Sequence, residues 1–239
     1  MNALLIDTSE DLPDWSEDRV LEAWFGPLLG TVSHLNPGAV GFSDPACHCR
    51  ALAAKAVVVT GSPMGAHDMD PTVLRLLETL QMLDQRDIPV LGVCFGHQVL
   101  ARALGGTVGR NPSGWEVGTV RIALTEAGLA CPVLRDLGPQ PDVLQSHQDA
   151  VLSLPPGAVI LAGNAHTAVQ AFQSRPGGRQ FGVQFHPEFT PERLRRNWVD
   201  RRERLRGTTG FDLDAALDQA RPTPLTASLL RRFFDFAAG

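Results

Sequence analysis

An α/β fold is predicted for this chain: an open, mostly parallel sheet with helices on both faces, an antiparallel meander in the second half and a helical C-terminal tail. Three observations predict it. Short, continuously apolar runs bounded by Gly, Pro or Asp recur along the sequence, a helix-period stripe separates two of them, and the patterning changes after about residue 115.

The runs are "ALLI" (3–6), "AVVVT" (56–60), "IPVLGV" (88–93), "AVILA" (158–162), "AVQAF" (168–172) and "FGVQF" (181–185). Unbroken hydrophobicity of this length suits strands covered on both faces. Between the second and third, "PTVLRLLETLQMLDQRD" places apolar residues at 73, 74, 76, 77, 80 and 83. That spacing predicts a helix, started by Asp70-Pro71 and stopped before Pro89. A second helix is expected from about 97 to 104, closed by Gly105-Gly106. Strand, helix, strand, helix describes crossovers in a parallel sheet.

Farther on, "WEVGTVRIAL" alternates as a half-buried strand does, and "LAGNAHTAVQAF" and "QSRPGGRQFGVQF" read as two hairpins. "QSHQDAV" (145–151) reads as a polar loop. From residue 191 the chain looks helical; in "LTASLLRRFFDF" (225–236) Leu229, Leu230, Phe233, Phe234 and Phe236 are suited to cover an apolar surface. The expected organisation is a domain over residues 1–190 with a helical extension, 191–239, packed on it.

A chain of 239 residues, 44% apolar and 20% charged, can bury a full core on its own. No run approaches the roughly 18–20 apolar residues of a membrane span. The N-terminus has no basic flank, so a cytoplasmic protein away from membranes is expected. Four cysteines (Cys47, Cys49, Cys94 and Cys131) are too few and too unevenly spaced for a disulfide framework, in keeping with a reducing compartment. A net charge of −5, with Lys55 as the one lysine, argues against nucleic-acid binding. The local exception, "RLRRNWVDRRERLR" (193–206), reads first as a solvated amphipathic helix and second as a docking surface.

The chemistry centres on "GVCFGHQ" (92–98), where a strand turns directly into a helix. Glycines on either side of Cys94 relieve steric clashes in a sharp turn, and a helix N-terminus aimed at the thiol favours the nucleophilic thiolate. The backbone N–H of Phe95 would face an oxyanion formed at the attacked carbon. Such a cysteine needs a base; His34, His48, His67, His97, His147, His166 and His186 are the choices. His186 stands out in "FGVQFHPEF": it ends an apolar strand and has Glu188 two residues on to orient it. Cys94 and His186 both lie at carboxyl ends of expected strands, where open α/β sheets place their sites. "VVVTGSPMG" (57–65) ends a third strand in small residues that let backbone N–H groups approach a substrate.

In order, "TGSP", "GVCFGHQ-LA--LGG", "SHQD" and "VQFHPE" resemble the class I glutamine amidotransferases of the Cys-His-Glu type over roughly residues 40 to 190. The resemblance implies the flavodoxin-like version of the α/β sheet, with Cys94 as nucleophile, His186 as general base and acid, and Glu188 as its orienting partner. It implies an oxyanion hole at Ser62 and Phe95 and substrate contacts at Gln98, Ser146, His147 and Gln148, with no cofactor and no metal. Where many members have consecutive glycines, this chain has Gly61-Ser62. The implied substrate is a small molecule, glutamine or a γ-glutamyl compound. No synthetase domain follows Glu188, so the chain resembles free-standing members, including domains like that of GMP synthase and cytosolic γ-glutamyl peptidases. A separate synthetase subunit is then the partner to expect if ammonia is passed on.

Three other readings compete. An α/β-hydrolase with a cysteine elbow takes its acid from well upstream of the histidine, unlike Glu188. A metal site at Cys47-His48-Cys49 lacks a distant second pair of ligands. A non-catalytic subunit that docks through the arginine helix would not need Cys94, His186 and Glu188 together.

Overall fold

The structure is a computed structural model and describes residues 1–8, 21, 22, 24, 36–205, 210 and 212–239, so His34 lies outside it. Its main sheet has eight strands, in the order β2-β1-β3-β4-β12-β11-β10-β7. The strands are β1 (Asn2–Asp7), β2 (Asn36–Gly41), β3 (Ala56–Val59), β4 (Val90–Val93), β7 (Ala123–Leu124), β10 (Val159–Gly163), β11 (Ala171–Gln173) and β12 (Gln180–Val183). β2, β1, β3, β4 and β12 run parallel; β11, β10 and β7 continue the sheet antiparallel. Two small two-stranded sheets, β5 (Thr107–Arg110) with β9 (Asp149–Ser153) and β6 (Glu116–Arg121) with β8 (Asp142–His147), stand beside it.

Most of the apolar runs are buried on both faces, as their patterning predicts; the run at 158–162 departs from it, with Ile160 exposed. Ala3, Leu5, Val58, Leu91, Val93, Phe181 and Val183 face one core, while Leu4, Ile6, Val57, Val59 and Val90 face the other. Helices α1 (Cys47–Ala53), α2 (Pro71–Gln85) and α3 (Phe95–Ala103) cover the second face. α2 starts as expected: Pro71 follows Asp70, whose carboxylate accepts from the Thr72 N–H at 2.7 Å. Its stripe of Val73, Leu76, Leu80 and Leu83 is buried, each side chain contributing roughly 1.5–3 kcal/mol.

The first face receives α7 (Pro224–Ala238) through Leu229, Leu230, Phe233 and Phe234. α4 (Glu126–Ala130) packs near the far edge of the sheet. The helices α5 (Pro191–Leu205) and α6 (Leu213–Asp218) form a third cluster with Val117, Leu144 and Phe189, into which α5 inserts Leu194 and Trp198 one turn apart. No described helix is long and apolar enough to cross a membrane.

Two local expectations need correction, and one strand was not expected. Residues 145–151 are not a loop but the end of β8 and the start of β9, with Gln145, Ser146 and His147 buried; polarity there marks internal hydrogen bonding, not solvent. The alternating stretch 115–124 is two strands, β6 and β7, in different sheets. β2, "NPGAVG", carries no strand pattern, and Pro37 is tolerated because β2 is an edge. The two hairpins appear as β10-β11-β12, which brings β12 back beside β4 in parallel and so sets His186 next to the β4–α3 junction.

Candidate active site

Cys94 sits between β4 and α3 at φ +53°, a left-handed conformation that side chains rarely adopt. The surroundings hold it there: its N–H donates to Val183 O at 2.9 Å and its carbonyl accepts from Gln98 N at 3.1 Å. The flanking glycines are steric requirements. A Cβ on Gly92 would lie 2.3 Å from Gly96 O, and one on Gly96 would lie 2.2 Å from Val59 O. Strand, turn and helix are packed too closely for side chains at those two positions.

His186 follows β12, and its backbone N–H donates to Leu144 O at 2.9 Å, which ties it to β8. Its Nδ1 meets Glu188 Oε1 at 2.7 Å, with both side chains almost fully buried. Burial by itself would lower the imidazole's pKa; the Glu188 carboxylate, and after it the Cys94 sulfur as charge and hydrogen-bond partner, overcome this and push it up to about 10. His186 Nε2 and Glu188 Oε2 are buried without a partner of normal hydrogen-bond geometry among the described residues. The imidazole therefore has one nitrogen occupied by the acid and one in reserve, beside a sulfur that acts on it electrostatically.

The turn after β3 closes the other side. A Cβ on Gly61 would lie 2.9 Å from His186 Cε1 and 3.5 Å from Cys94 Cβ, so the glycine lets backbone approach both residues. Thr8 fixes that turn: its Oγ1 donates to Gly61 O at 2.8 Å, and its N–H donates to Thr60 Oγ1 at 2.9 Å. Threonines ending two adjacent strands were the available sequence signal for this support. Ser62 lies in the same turn, where its Oγ accepts from Met64 N at 3.2 Å, and Phe95 is the buried first residue of α3.

The residues expected to contact substrate are hydrogen-bonded within the protein. Gln98, one turn along α3 from Cys94, donates through Nε2 to Asp149 O at 2.8 Å and Gln184 Oε1 at 3.1 Å. Ser146 Oγ accepts from Trp198 Nε1 at 3.0 Å. His147 is held between Glu116 Oε2 and Asp149 O, both at 2.9 Å. Gln148 Oε1 accepts from the Arg110 guanidinium. The structure thus gathers Gly61, Cys94, His186 and Glu188, and commits the side chains of Ser146 and His147 to internal partners.

Glu116 is a buried residue that the sequence reading passed over. It takes hydrogen bonds from Asn164 Nδ2 at 2.7 Å, Gln170 Nε2 at 2.7 Å, Thr167 Oγ1 at 3.3 Å and His147. Burial pushes its pKa up, but the bonds from His147, Asn164 and Gln170 outweigh that and hold it below the usual carboxylate range. His97, tilted against the Phe172 ring at 5.1 Å, is pushed down to about 3 by burial. Cys47 is buried and Cys49 exposed on α1, and His48 Nδ1 pairs with Thr79 Oγ1 at 3.0 Å. Among the described residues no group of three or more His, Cys, Asp or Glu side chains could hold a metal ion.

A doubly covered α/β sheet with a strained cysteine at a strand-to-helix turn, next to a buried histidine–carboxylate pair, defines the class. The chain belongs to the class I glutamine amidotransferase family, whose model matches residues 41–203. It is 34% identical over 160 residues to a GMP synthase (glutamine-hydrolysing) of Parafrankia sp., covering 65% of this chain and 27% of that protein. It is also 34% identical over 142 residues to gamma-glutamyl peptidase 3 of Arabidopsis thaliana, covering 57% and 55%. The matches therefore span about a quarter of the one relative and about half of the other. A glutamine amidotransferase from Thermotoga maritima has the same fold, with a TM-score of 0.76 at 21% identity over 99% of this chain and 97% of that one.

Proposed function

We propose that this protein hydrolyses the γ-amide of glutamine, or of a related γ-glutamyl compound, through a thioester on Cys94. The Cys94 thiolate adds to the amide carbon. His186, as imidazolium, protonates the departing nitrogen, the C–N bond breaks and ammonia leaves a γ-glutamyl thioester. A water deprotonated by the same imidazole then cleaves the C–S bond to give glutamate and regenerate the thiol. Glu188 holds the ring in the required tautomer and stabilises its charged form. The N–H groups of Phe95 and of the Gly61-Ser62 turn are assigned to the oxyanion, and Gln98 with the Ser146–Gln148 corner to the glutamyl group, the backbone serving where side chains are already bonded.

The observation that carries this reading is the 2.7 Å His186–Glu188 contact, made beside a cysteine held at positive φ, with the second imidazole nitrogen lacking a partner of normal hydrogen-bond geometry among the described residues. The likeness to both a GMP synthase and a γ-glutamyl peptidase supports two donor classes, free glutamine and γ-glutamyl peptides. Glutamate release from a panel of both donors tests them. The wild-type chain is expected to turn over at least one donor, and Cys94→Ser to lose turnover by about 10³-fold or more. Normal turnover by Cys94→Ser would sink the mechanism. Silence of the wild type on every donor unless a synthetase is added would instead favour a subunit that works with a partner.

A further inference from the structure

One face of the His186 ring lies flat against Phe189, with centroids 4.0 Å apart and planes 5° apart. Other ring pairs in the molecule, Phe181 with Phe236 and Trp115 with Trp198, meet edge-on, the more usual preference along with offset stacking. The flat stack arises from the local chain path: Phe189 N donates to His186 O at 3.3 Å, so residues 186–189 close a turn that sets one ring over the other. Phe189 is itself buried in the cluster that receives Leu194 and Trp198 of α5. Arg193, in the first turn of α5, places its guanidinium 5.9 Å from the Phe189 ring centroid and donates to Glu188 O at 3.4 Å.

A single Nδ1 hydrogen bond fixes the direction of one ring atom but leaves the imidazole free to tip about that contact. A flat neighbour removes the tipping motion and keeps Nε2 aimed. The negative face of a phenyl ring also favours a positive group stacked on it over a neutral one. We propose that Phe189 is a positioning residue for His186, fixing the plane of the imidazole during proton transfer, with Arg193 bracing Phe189 from α5. This rests on the catalytic role of His186 given above.

Phe189→Leu keeps apolar bulk and removes the flat face, whereas Phe189→Tyr keeps both. The Leu variant is expected to lose about tenfold in kcat with KM within about twofold of wild type, and the Tyr variant to recover most of the loss. A folded Leu variant with wild-type kcat overturns the proposal, as does a Tyr variant as slow as the Leu one. NMR of the unaltered protein provides a test that needs no variant to fold: ring current from Phe189 should move the His186 ring protons upfield, and ordinary shifts would overturn the stack. Failure of the functional reading is separate, since it shows as a wild-type protein without turnover.

Discussion

His186 with Glu188 and His147 with Glu116 are both buried imidazole–carboxylate pairs, at 2.7 Å and 2.9 Å, and His147 lies three residues along β8 from the carbonyl that holds His186. They differ in what is left over. His147 has both nitrogens occupied, and Glu116 accepts from four side chains on two segments, β8 and the β10–β11 connection. His186 keeps Nε2, and Glu188 keeps Oε2, without a hydrogen-bond partner of normal geometry among the described residues. A saturated pair fixes structure, because any proton transfer would break bonds already made. An unsaturated pair next to a sulfur retains the capacity to exchange a proton. Distance and burial alone do not separate the two; spare hydrogen-bonding capacity does.

The sharpest test of this contrast is Glu188→Gln, which preserves shape and removes charge. On the proposed mechanism, turnover is expected to fall by about 10²–10⁴-fold with the fold intact, the loss seen when the acid of a catalytic triad is neutralised. The same change alters pH behaviour. The charged form of His186 is stabilised up to about 10 against an ordinary value of 6.5, so its contribution to stability is complete below 6.5 and is lost as pH rises through about 10. Urea denaturation across that range should show a shallower alkaline decline in Glu188→Gln than in wild type.

Gly61→Ala comes next. Its methyl would press on His186 Cε1 at 2.9 Å, and displacing the ring should cost about tenfold or more in kcat with little change in global stability. Unchanged kinetics would mean that the turn can yield without disturbing the histidine.

Glu116→Gln reverses the pattern. It should destabilise the fold by about 2–4 kcal/mol, because buried donors lose a charged acceptor, while the molecules that remain folded keep most of their turnover. If denaturant midpoints stay put and activity disappears, the assignment of the two pairs is wrong.

The smallest expected effect concerns His97, which has no carboxylate partner among the described residues. Held down to about 3 by burial, it binds fewer protons folded than unfolded, so it subtracts stability as pH falls below 6.5. His97→Gln should flatten the acid limb of the stability profile; an identical limb would show that other groups set it.

Much of the site could be read from the chain because its signals are local. Gly92 and Gly96 announce a junction too tight for side chains, and the apolar run before His186 announces a strand end. The carboxylate that meets the imidazole is also a neighbour in sequence, since residues 186 and 188 are two apart. The Ser146–His147 stretch gave the wrong local structure because its partners, Trp198 and Glu116, lie 52 and 31 residues away. For the same reason Glu116 drew no notice in "GWEVG".

By itself, then, the sequence determined the α/β layering and singled out Cys94, His186 and Glu188 as the candidate site. Apolar periodicity and glycine sterics are properties of short segments and survive without a partner. Only the tertiary structure decided which polar residues are internal struts, which turn touches the imidazole and that a phenyl ring lies flat upon it. Those outcomes depend on where distant strands and α5 deliver donors, acceptors and ring faces, and no short segment carries that information.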